Sequence, residues 1–410
     1  MAALRRLPSL TRPFRLLAIE SSADDSCASI VTSDRRILSN VVVKQHLIHE
    51  KLGGIHPIKA QDAHARNIPL AIRTALQEAN LLAADIDAYA FTQGPGMYGC
   101  LSCGSHAANA MAGMMDKPIV GVHHMQAHAL TPLLTESEPP QFPFLNLLVS
   151  GGHTLLVLAT GETQFKILAK SLDDSIGDAF DKTAKTLQIP WLPGLGPGPS
   201  LEAYALPHPT DENITSATDR YLAEIPKFKV AVPRQMAFSF AGLKTQVLKA
   251  TTKFFPNLQL KKGMPEGLKR AVARRFQEAA ITQLEQKVRM GLDYLENGEG
   301  KALVQGQPIR AVIASGGVAS NQYLRQRLAA TLKQRNPDSP KRLVYPPVAL
   351  CTDNAAMIAW AGILKLRRQN GVSDPFGPLL RPKWSLEALE EQRPQESEPM
   401  PPPEVSIVKD

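Results

Sequence analysis

The sequence predicts an α/β protein built from two related halves that face one cleft. Two observations support this fold class: short apolar strands alternate with helical segments, and two of the strands run into the same Ser-Gly-Gly loop. The chain has 410 residues, of which 44% are hydrophobic. A chain of this size is expected to fold as two or more lobes.

The first elements indicate a β-meander. Residues 14–22 and 27–33 have the composition of strands, and the DRR at 34–36 is a turn into ILSNVVV. Helical spacing follows at 71–81, then a strand at 87–96 that ends in glycines and a short strand at 118–124. This alternation favours an α/β protein with functional loops at its strand ends.

Two distant segments, FLNLLVSGGHT (144–154) and IRAVIASGGVASN (309–321), each lead a buried strand into Ser-Gly-Gly. Such a loop exposes backbone N–H groups at a sheet edge, where they can surround a phosphate. Any tight turn also favours glycine, so one loop alone is weak support. The pair favours nucleotide binding between two related halves.

Acidic residues follow the first strand. IESSADDS places Glu20, Asp24 and Asp25 at its end, where they form either an exposed turn or a site for a cation, an amine or a water. SIGDAFDKTAKTL (175–187) places Asp178 and Asp181 at a predicted helix start. Helix capping is the ordinary role there, whereas Asp181 could instead reach a ribose hydroxyl.

The stretch VHHMQAHAL places His124 and His128 four residues apart, on one face of a helix. A zinc protease of the HExxH type needs a glutamate directly after the first histidine, and this position is Met125. The pair is either a structural pair or two ligands of a metal. Asp353, in VALCTDNAAMIAW, could complete such a site.

Basic residues make a polyanionic partner plausible, because the formal net charge is +8. The segment 268–292 concentrates Lys269, Arg270, Arg274 and Arg275 near one helix start, where they could contact an RNA backbone. In FSFAGLKT (238–245), Lys244 is either a phosphate ligand or a solvated lysine, and the phenylalanines are core residues.

The two ends differ from the body. Residues 1–19 carry four arginines and no acid, which is typical of a mitochondrial transit peptide; a short disordered basic arm is the alternative. From about Glu387 the chain is rich in Pro and Glu and is predicted to be a flexible tail. No apolar run approaches the roughly 20 residues that span a bilayer, so we expect no membrane association.

Seven ordered motifs, ESSADDS, HHMQAH, LLVSGGHT, GDAFDKTAK, FSFAGLKT, SGGVASN and TDNAAMIA, resemble the tRNA N6-adenosine threonylcarbamoyltransferase family. The match runs from about residue 16 to 365, and the N-terminus is similar to that of the mitochondrial branch. The resemblance implies the two-lobed actin, hexokinase and Hsp70 fold. The expected divisions are an arm or transit peptide (1–15), lobe I (16–143), lobe II (144–346), a helical return to lobe I (347–385) and a disordered tail (386–410).

The resemblance also implies the reaction. Threonylcarbamoyl-adenylate would donate its acyl group to the N6 amine of adenosine 37 in tRNAs that read ANN codons, and AMP would leave. Other implied features are a mitochondrial matrix location, a homodimer, binding to the tRNA anticodon stem-loop, and a separate synthase that supplies the adenylate.

The family's site positions can be carried over to this sequence. They place one divalent metal, zinc or iron, on His124, His128 and Asp353, and the catalytic role on Asp24 and Asp25. The implied substrate-binding residues are Leu148, Val149, Ser150, Gly151, Gly152, Asp181, Gly198, Glu202, Ser320 and Asn321.

Departures from the family pattern affect two of these positions. LPGLGPGPSLE (192–202) replaces a shorter family motif, so the assignment of Gly198 and Glu202 assumes an insertion, and Gly194 is the alternative without a gap. Leu148 stands where archaeal members tend to carry a tyrosine ligand, which leaves that coordination position to water or the donor.

Two functions of other classes stay open from the residues alone. A sugar or acetate kinase of the same fold would bind ATP in this cleft, but it would leave the histidine pair unexplained. A non-enzymatic scaffold would bind a nucleotide and keep that binding after loss of His124 and His128.

Overall fold

Two sheets of the same topology organise the part of the chain that the computed structural model describes, residues 5–7, 9–52, 54–192, 196–208, 210–255 and 263–390. The first sheet contains β1 (Arg15–Glu20), β2 (Ser26–Thr32), β3 (Ile37–Val43), β4 (Ala88–Gly94) and β5 (Ile119–His123), in the order β3-β2-β1-β4-β5. The second contains β6 (Phe144–Val149), β7 (Thr154–Ala159), β8 (Phe165–Lys170), β9 (Ala311–Ser315) and β10 (Arg342–Val344), in the order β8-β7-β6-β9-β10.

Each sheet is an antiparallel three-stranded meander followed by two parallel strands. The prediction of two related halves is therefore confirmed. Strands β2 and β6 are buried along their whole length, which explains the nearly continuous apolar sequence of β6. This repeated topology is the actin and hexokinase type of fold.

Helices cover both sheets. In chain order they are α1 (His46–Leu52), α2 (Pro57–Glu78), α3 (Tyr98–Met114), α4 (His124–Thr135), α5 (Ile176–Thr186), α6 (Pro197–Ala205), α7 (Glu212–Glu224), α8 (Ala241–Phe254), α9 (Glu266–Asn297), α10 (Gln322–Arg335), α11 (Val348–Cys351) and α12 (Ala355–Arg368). The predicted helix at 71–81 is the C-terminal part of the longer α2, which has Pro57 in its first turn and continues through Pro69.

The late helix α12 packs on the first sheet, against β1, β2, β4 and β5, and against α4. The long helix α9 packs instead against α6, α7, α8 and α10 in the second half. No helix among the described residues is long and apolar enough to cross a membrane.

Residues 5–7 are docked on the body of the protein. The Leu7 N–H donates to Gly371 O at 3.0 Å, the Ser373 N–H donates to Arg5 O at 2.8 Å, and Leu7 and Phe14 are buried. A freely disordered arm does not fit this contact. The predicted tail at 386–410 begins in ordered chain, because Leu386–Ala388 form a 3-10 turn and Leu386 is buried. Residues 1–4, residue 8 and the rest of the predicted tail from 391 lie outside the described residues, so a cleaved transit peptide and a flexible tail stay predictions.

Candidate metal centre and ligand cleft

The ends of parallel strands bring the predicted loops together. β6 and β9 pair with Leu148 opposite Ser315, so both Ser-Gly-Gly loops leave the same edge of the second sheet. Gly316 has φ +97°, and a Cβ there would lie 2.3 Å from Val149 O. The second loop therefore needs glycine at 316 because the first loop leaves no room for a side chain.

Helix α4 begins immediately after β5, and its cap orients the histidines. Nδ1 of His123 accepts hydrogen bonds from the backbone N–H groups of Met125 (3.1 Å) and Gln126 (3.2 Å), and its Nε2 donates to Trp384 O at 3.2 Å. Burial lowers the pKa of His123 to about 3. This neutral histidine is the helix cap, and the next histidine is free to face the cleft.

His124, His128 and Asp353 converge, although 225 residues separate the last two. Oδ1 of Asp353 lies 3.1 Å from Nε2 of His128 and 3.5 Å from Nε2 of His124. The two imidazole centroids are 4.8 Å apart, and both histidines are buried. Asp353 lies in the turn between α11 and α12. The sequence-based expectation that these three groups meet agrees with the structure.

The spacing of these three atoms fits a metal. Bonds of about 2.0–2.1 Å to a tetrahedral zinc ion place neighbouring ligand atoms about 3.3 Å apart. The distances from Asp353 Oδ1 to the two Nε2 atoms, 3.1 and 3.5 Å, bracket this value. Two imidazoles and one carboxylate also leave coordination positions for a substrate, as catalytic sites require.

Glu20 completes the centre behind His124. Its Oε2 lies 3.0 Å from His124 Nδ1, and its other oxygen accepts the Ser22 N–H at 2.6 Å. Burial favours the uncharged form of both groups, but their attraction lowers the pKa of Glu20, and the Glu20 and Asp353 carboxylates raise that of His124 to about 9. The Glu20 contact turns His124 Nε2 toward Asp353. The sequence indicates Glu20 only as one of three acids after the first strand.

His153 is a second group that motif reading did not assign, although it lies within LLVSGGHT. Its backbone N–H donates to Ser150 Oγ at 3.1 Å and its carbonyl accepts the Ser150 N–H at 2.8 Å, which closes the first glycine loop. Burial, together with repulsion from His124 and His128, lowers the pKa of His153 to about 4. His153 therefore closes the glycine loop and lies near enough to the two histidines to be repelled by their charge.

Asp24 and Asp25 form a separate acidic group with His46. One ligand atom from each of the three residues lies within 4.8 Å of the other two. Burial and the neighbouring Asp24 raise the pKa of Asp25 to about 8, and no described residue hydrogen-bonds to its Oδ1. Burial and then Asp353 raise the pKa of Asp24. The sequence contained no signal that His46 joins this pair.

The first glycine loop is open on its cleft side. A Cβ on Gly151 or Gly152 would meet no protein atom within 4 Å, and both glycines are exposed. Ser175 Oγ donates to Gly151 O and accepts the Asp178 N–H, so Ser175, rather than Asp178, caps α5. The first N–H groups of α5 donate to Thr154 Oγ1, Ser150 O and Ser175 Oγ, whereas those of Gly151 and Gly152 form no hydrogen bond with a described residue and can be presented to an anion.

The other predicted substrate residues divide into two sets. On α5 and α6, Asp181 accepts a hydrogen bond from the Gly198 backbone, and burial by the cleft walls raises the pKa of Asp181 to about 7. Glu202 Oε1 accepts the Gln322 N–H at 2.7 Å. Gly194 lies outside the described residues.

At the start of α10, Asn321 Oδ1 accepts the Leu324 N–H at 2.9 Å and thereby caps the helix. Ser320 Oγ donates to Gly317 O at 2.6 Å. Leu148 and Val149 are fully buried in β6, so their side chains belong to the core, and a ligand could reach only their backbone.

The structure does not support the expected RNA contact at the start of α9, because these side chains bond backbone carbonyls of the protein. Arg274 donates to Ala205 O, and Arg275 donates to Leu222 O and Ile225 O, the last carbonyls of α6 and α7. Arg270 donates to Leu206 O and Lys269 to Gln188 O. These cations stabilise helix C-termini, where the helix dipole is negative.

The fold and the site define a two-lobed protein of the actin and hexokinase type that carries a candidate metal centre. Residues 36–360 match the sequence model of the TsaD family, described as tRNA N6-adenosine threonylcarbamoyltransferase. This chain belongs to that family.

Curated relatives agree with the family assignment, and a solved structure resembles the fold. A probable mitochondrial tRNA N6-adenosine threonylcarbamoyltransferase of Arabidopsis thaliana is 38% identical over 386 residues, which cover 90% of this chain and 74% of the relative. A tRNA N6-adenosine threonylcarbamoyltransferase of Neisseria gonorrhoeae is 36% identical over 387 residues, covering 91% and 99%. Full-length HypF in its phosphate- and nucleotide-bound form aligns with TM-score 0.50 and 11% identity. That alignment covers 90% of this chain but only 47% of HypF, and it supports the fold alone.

Proposed function

We propose that this chain transfers the threonylcarbamoyl group of threonylcarbamoyl-adenylate to the N6 amine of adenosine 37 in ANN-decoding mitochondrial tRNAs. The observation that carries the proposal is the convergence of His124, His128 and Asp353 next to the open 150–152 loop. Family membership favours this transferase over a kinase or a scaffold.

His124, His128 and Asp353 would hold one divalent ion, zinc or iron, which would supply a Lewis acid for the donor's carbonyl or phosphate oxygen. The spacing of the ligand atoms and the Glu20 contact behind His124 support this assignment.

The adenylate would lie against the glycine loop. The backbone N–H groups of Gly151 and Gly152 belong to the open part of this loop, where they would stabilise negative charge on the departing AMP. Asp181, with Gly198, Glu202 and the pair Ser320–Asn321, would bind ribose and base on the opposite wall, and Leu148 and Val149 would contribute backbone only.

Asp24 and Asp25 are the proposed catalytic acids. The N6–carbon bond forms as the bond from the acyl carbon to the phosphate oxygen breaks, and the amine proton must pass to a base. A carboxylate within reach serves as that base, and the unpartnered Oδ1 of Asp25 is available for it. AMP leaves with the electron pair of the broken bond.

We further propose a matrix location and a homodimer that receives the adenylate from a separate synthase. The mitochondrial description of the Arabidopsis relative supports the compartment. The proposed lobes are 16–143 with 347–385 and 144–346, and the packing of α12 on the first sheet supports this division.

The test is mass spectrometry of nucleosides from an unmodified ANN-decoding tRNA that has been incubated with the full chain and a source of the adenylate. Wild type is expected to form threonylcarbamoyladenosine, and His124→Ala with His128→Ala is expected to lose it. His56→Ala with His106→Ala removes two exposed histidines of the same half and should keep full activity. No product from folded, metal-loaded wild type would refute the proposal.

A further inference from the structure

One segment of the second half is strongly basic and contains no acid. The stretch from 225 to 255, called the basic segment below, carries six cations and neither Asp nor Glu: Lys227, Lys229, Arg234, Lys244, Lys249 and Lys253. It consists of an irregular loop followed by α8. Five of its cations are exposed, and Lys244 is half-buried.

These exposed cations differ from others on the same half. Within the described residues, Lys227, Lys229, Arg234, Lys249 and Lys253 form no ion pair, whereas Lys244 pairs with Asp174. Elsewhere on this half, Arg335 and Lys341 share Glu296, and Arg327 pairs with Glu285. A concentration of unneutralised charge produces a positive potential over this surface.

The backbone of this loop is anchored although it has no regular secondary structure. Gln246 of α8 bonds both backbone groups of Lys229, at 2.7 and 3.0 Å, and Gln283 of α9 bonds both backbone groups of Ser239, at 2.8 and 3.0 Å. The fully buried Lys287 donates to Val232 O at 2.7 Å and to Pro233 O at 3.2 Å. A buried ammonium held by carbonyls anchors the middle of the loop.

The basic segment is also connected to the ligand cleft. Asp173 accepts hydrogen bonds from Ser239 Oγ at 2.6 Å and from the Phe240 N–H at 2.8 Å. Asp174 pairs with Lys244, and the next residue, Ser175, donates to Gly151 O in the open glycine loop. Lys244, a cation of the basic segment, is therefore linked through Asp174 and Ser175 to the glycine loop that lines the cleft.

We infer that the basic segment binds the phosphate backbone of the RNA substrate and thereby delivers the target base to the cleft. This inference rests on the proposed tRNA substrate. Unpaired cations on an anchored backbone beside a cleft suit a polyanion. Leu248 is the one large apolar side chain that the described part of the segment exposes strongly, which argues against insertion into a membrane. Binding of this kind is independent of sequence, so target choice stays with the cleft.

The test is the salt dependence of binding of an unmodified ANN-decoding tRNA to the full chain. Lys227→Gln with Lys229→Gln and Lys249→Gln is expected to weaken affinity at least tenfold at low salt. It should also reduce the slope of log affinity against log salt by about 2–3, since each of the three lost phosphate contacts removes about 0.7–0.9. Thermal unfolding and AMP affinity should match wild type.

The matched control is Lys301→Gln with Arg310→Gln and Lys333→Gln. These three cations are exposed and form no ion pair within the described residues. Lys301 and Arg310 precede β9 and Lys333 lies near the end of α10, so all three are away from the glycine loop that follows β9. The control removes the same charge and should change affinity by less than twofold.

The outcomes separate this inference from the proposed function. The inference would be overturned if both triple variants lost tRNA affinity equally, or if the variant of the basic segment kept wild-type affinity. Either result would count even where wild type makes threonylcarbamoyladenosine. Loss of binding to anionic phosphatidylserine vesicles with tRNA affinity retained would overturn it in favour of a membrane surface. Wild type that binds tRNA through the basic segment but makes no modified nucleoside would support the inference and refute the proposed reaction.

Discussion

Glu20 Oε2 lies 3.0 Å from Nδ1 of His124, while Nε2 of the same imidazole faces Asp353 at 3.5 Å. One ring nitrogen is thus engaged by a buried carboxylate from β1 and the other is presented to the candidate metal centre. Carboxylate partners of this kind fix the tautomer and orientation of a histidine ligand and raise its basicity.

Replacing Glu20 by Gln should therefore weaken zinc binding by about 10- to 100-fold, because His124 loses the group that orients it. Competition with a chromogenic chelator measures the affinity directly, without an activity assay. Glu285→Gln is the control: it alters a buried glutamate of the other half that pairs with Arg327, so it should reduce stability and leave zinc affinity unchanged. Equal zinc affinity in Glu20→Gln and wild type would contradict the assigned role of Glu20.

Two glycine substitutions should affect different properties, one the stability of the fold and the other the affinity for AMP. Gly316→Ala forces a Cβ to within 2.3 Å of Val149 O at φ +97°, so it should lower the melting temperature. Gly152→Ala places its Cβ in open space, so it should keep the melting temperature and reduce AMP affinity. Differential scanning fluorimetry with and without AMP measures both effects. Unchanged AMP affinity in Gly152→Ala would exclude close approach of the ligand to the loop.

Much of the fold could be predicted because local pattern and burial agree. The strands of both meanders are apolar runs bounded by turns, and the repeated Ser-Gly-Gly marked corresponding edges of two sheets. The His124–His128 spacing similarly follows from helix geometry alone. Each of these features depends on residues that are close in sequence.

The features that could not be predicted depend on contacts between distant segments. Glu20 and His124 are 104 residues apart, and nothing local indicates which acid faces the histidine. The arginines at the start of α9 have the composition of an RNA-binding helix, but the carbonyls that they bind belong to α6 and α7. Charge in a sequence does not reveal whether a partner is solvent, RNA or the end of another helix.

Acyl transfer should depend on the ionisation of Asp25. Burial and the charge of Asp24 raise the pKa of Asp25 to about 8, and a carboxyl group accepts a proton only in its ionised form. The single-turnover rate should rise with pH and level off above about 8, and Asp24→Asn should shift the rise to lower pH by removing a neighbouring charge. A rate independent of pH between 6 and 9 would rule out Asp25 as the base.

The raised pKa of Asp25 also predicts how the stability of the fold varies with pH. Because the pKa of Asp25 in the folded protein lies above its ordinary value, the folded state binds the proton more tightly than the unfolded state. The contribution of protonated Asp25 to the free energy of unfolding is complete below the ordinary pKa of about 4 and is lost as pH rises toward 8. Asp25→Asn should flatten the decline of the melting temperature over this range, and a decline as steep as that of wild type would contradict the shift.

Substitution of Arg275 should reduce stability but not tRNA affinity, and substitution of Lys249 should do the opposite. Arg275 bonds backbone carbonyls of the protein, whereas Lys249 is an exposed cation. Arg275→Ala removes the bonds to Leu222 O (2.7 Å) and Ile225 O (3.2 Å) and should reduce the free energy of unfolding by about 2 kcal/mol in urea denaturation, with tRNA affinity unchanged below the transition. Lys249→Ala should keep stability and weaken tRNA binding in a salt-dependent manner. Weakened tRNA binding in folded Arg275→Ala would return the RNA contact to the start of α9.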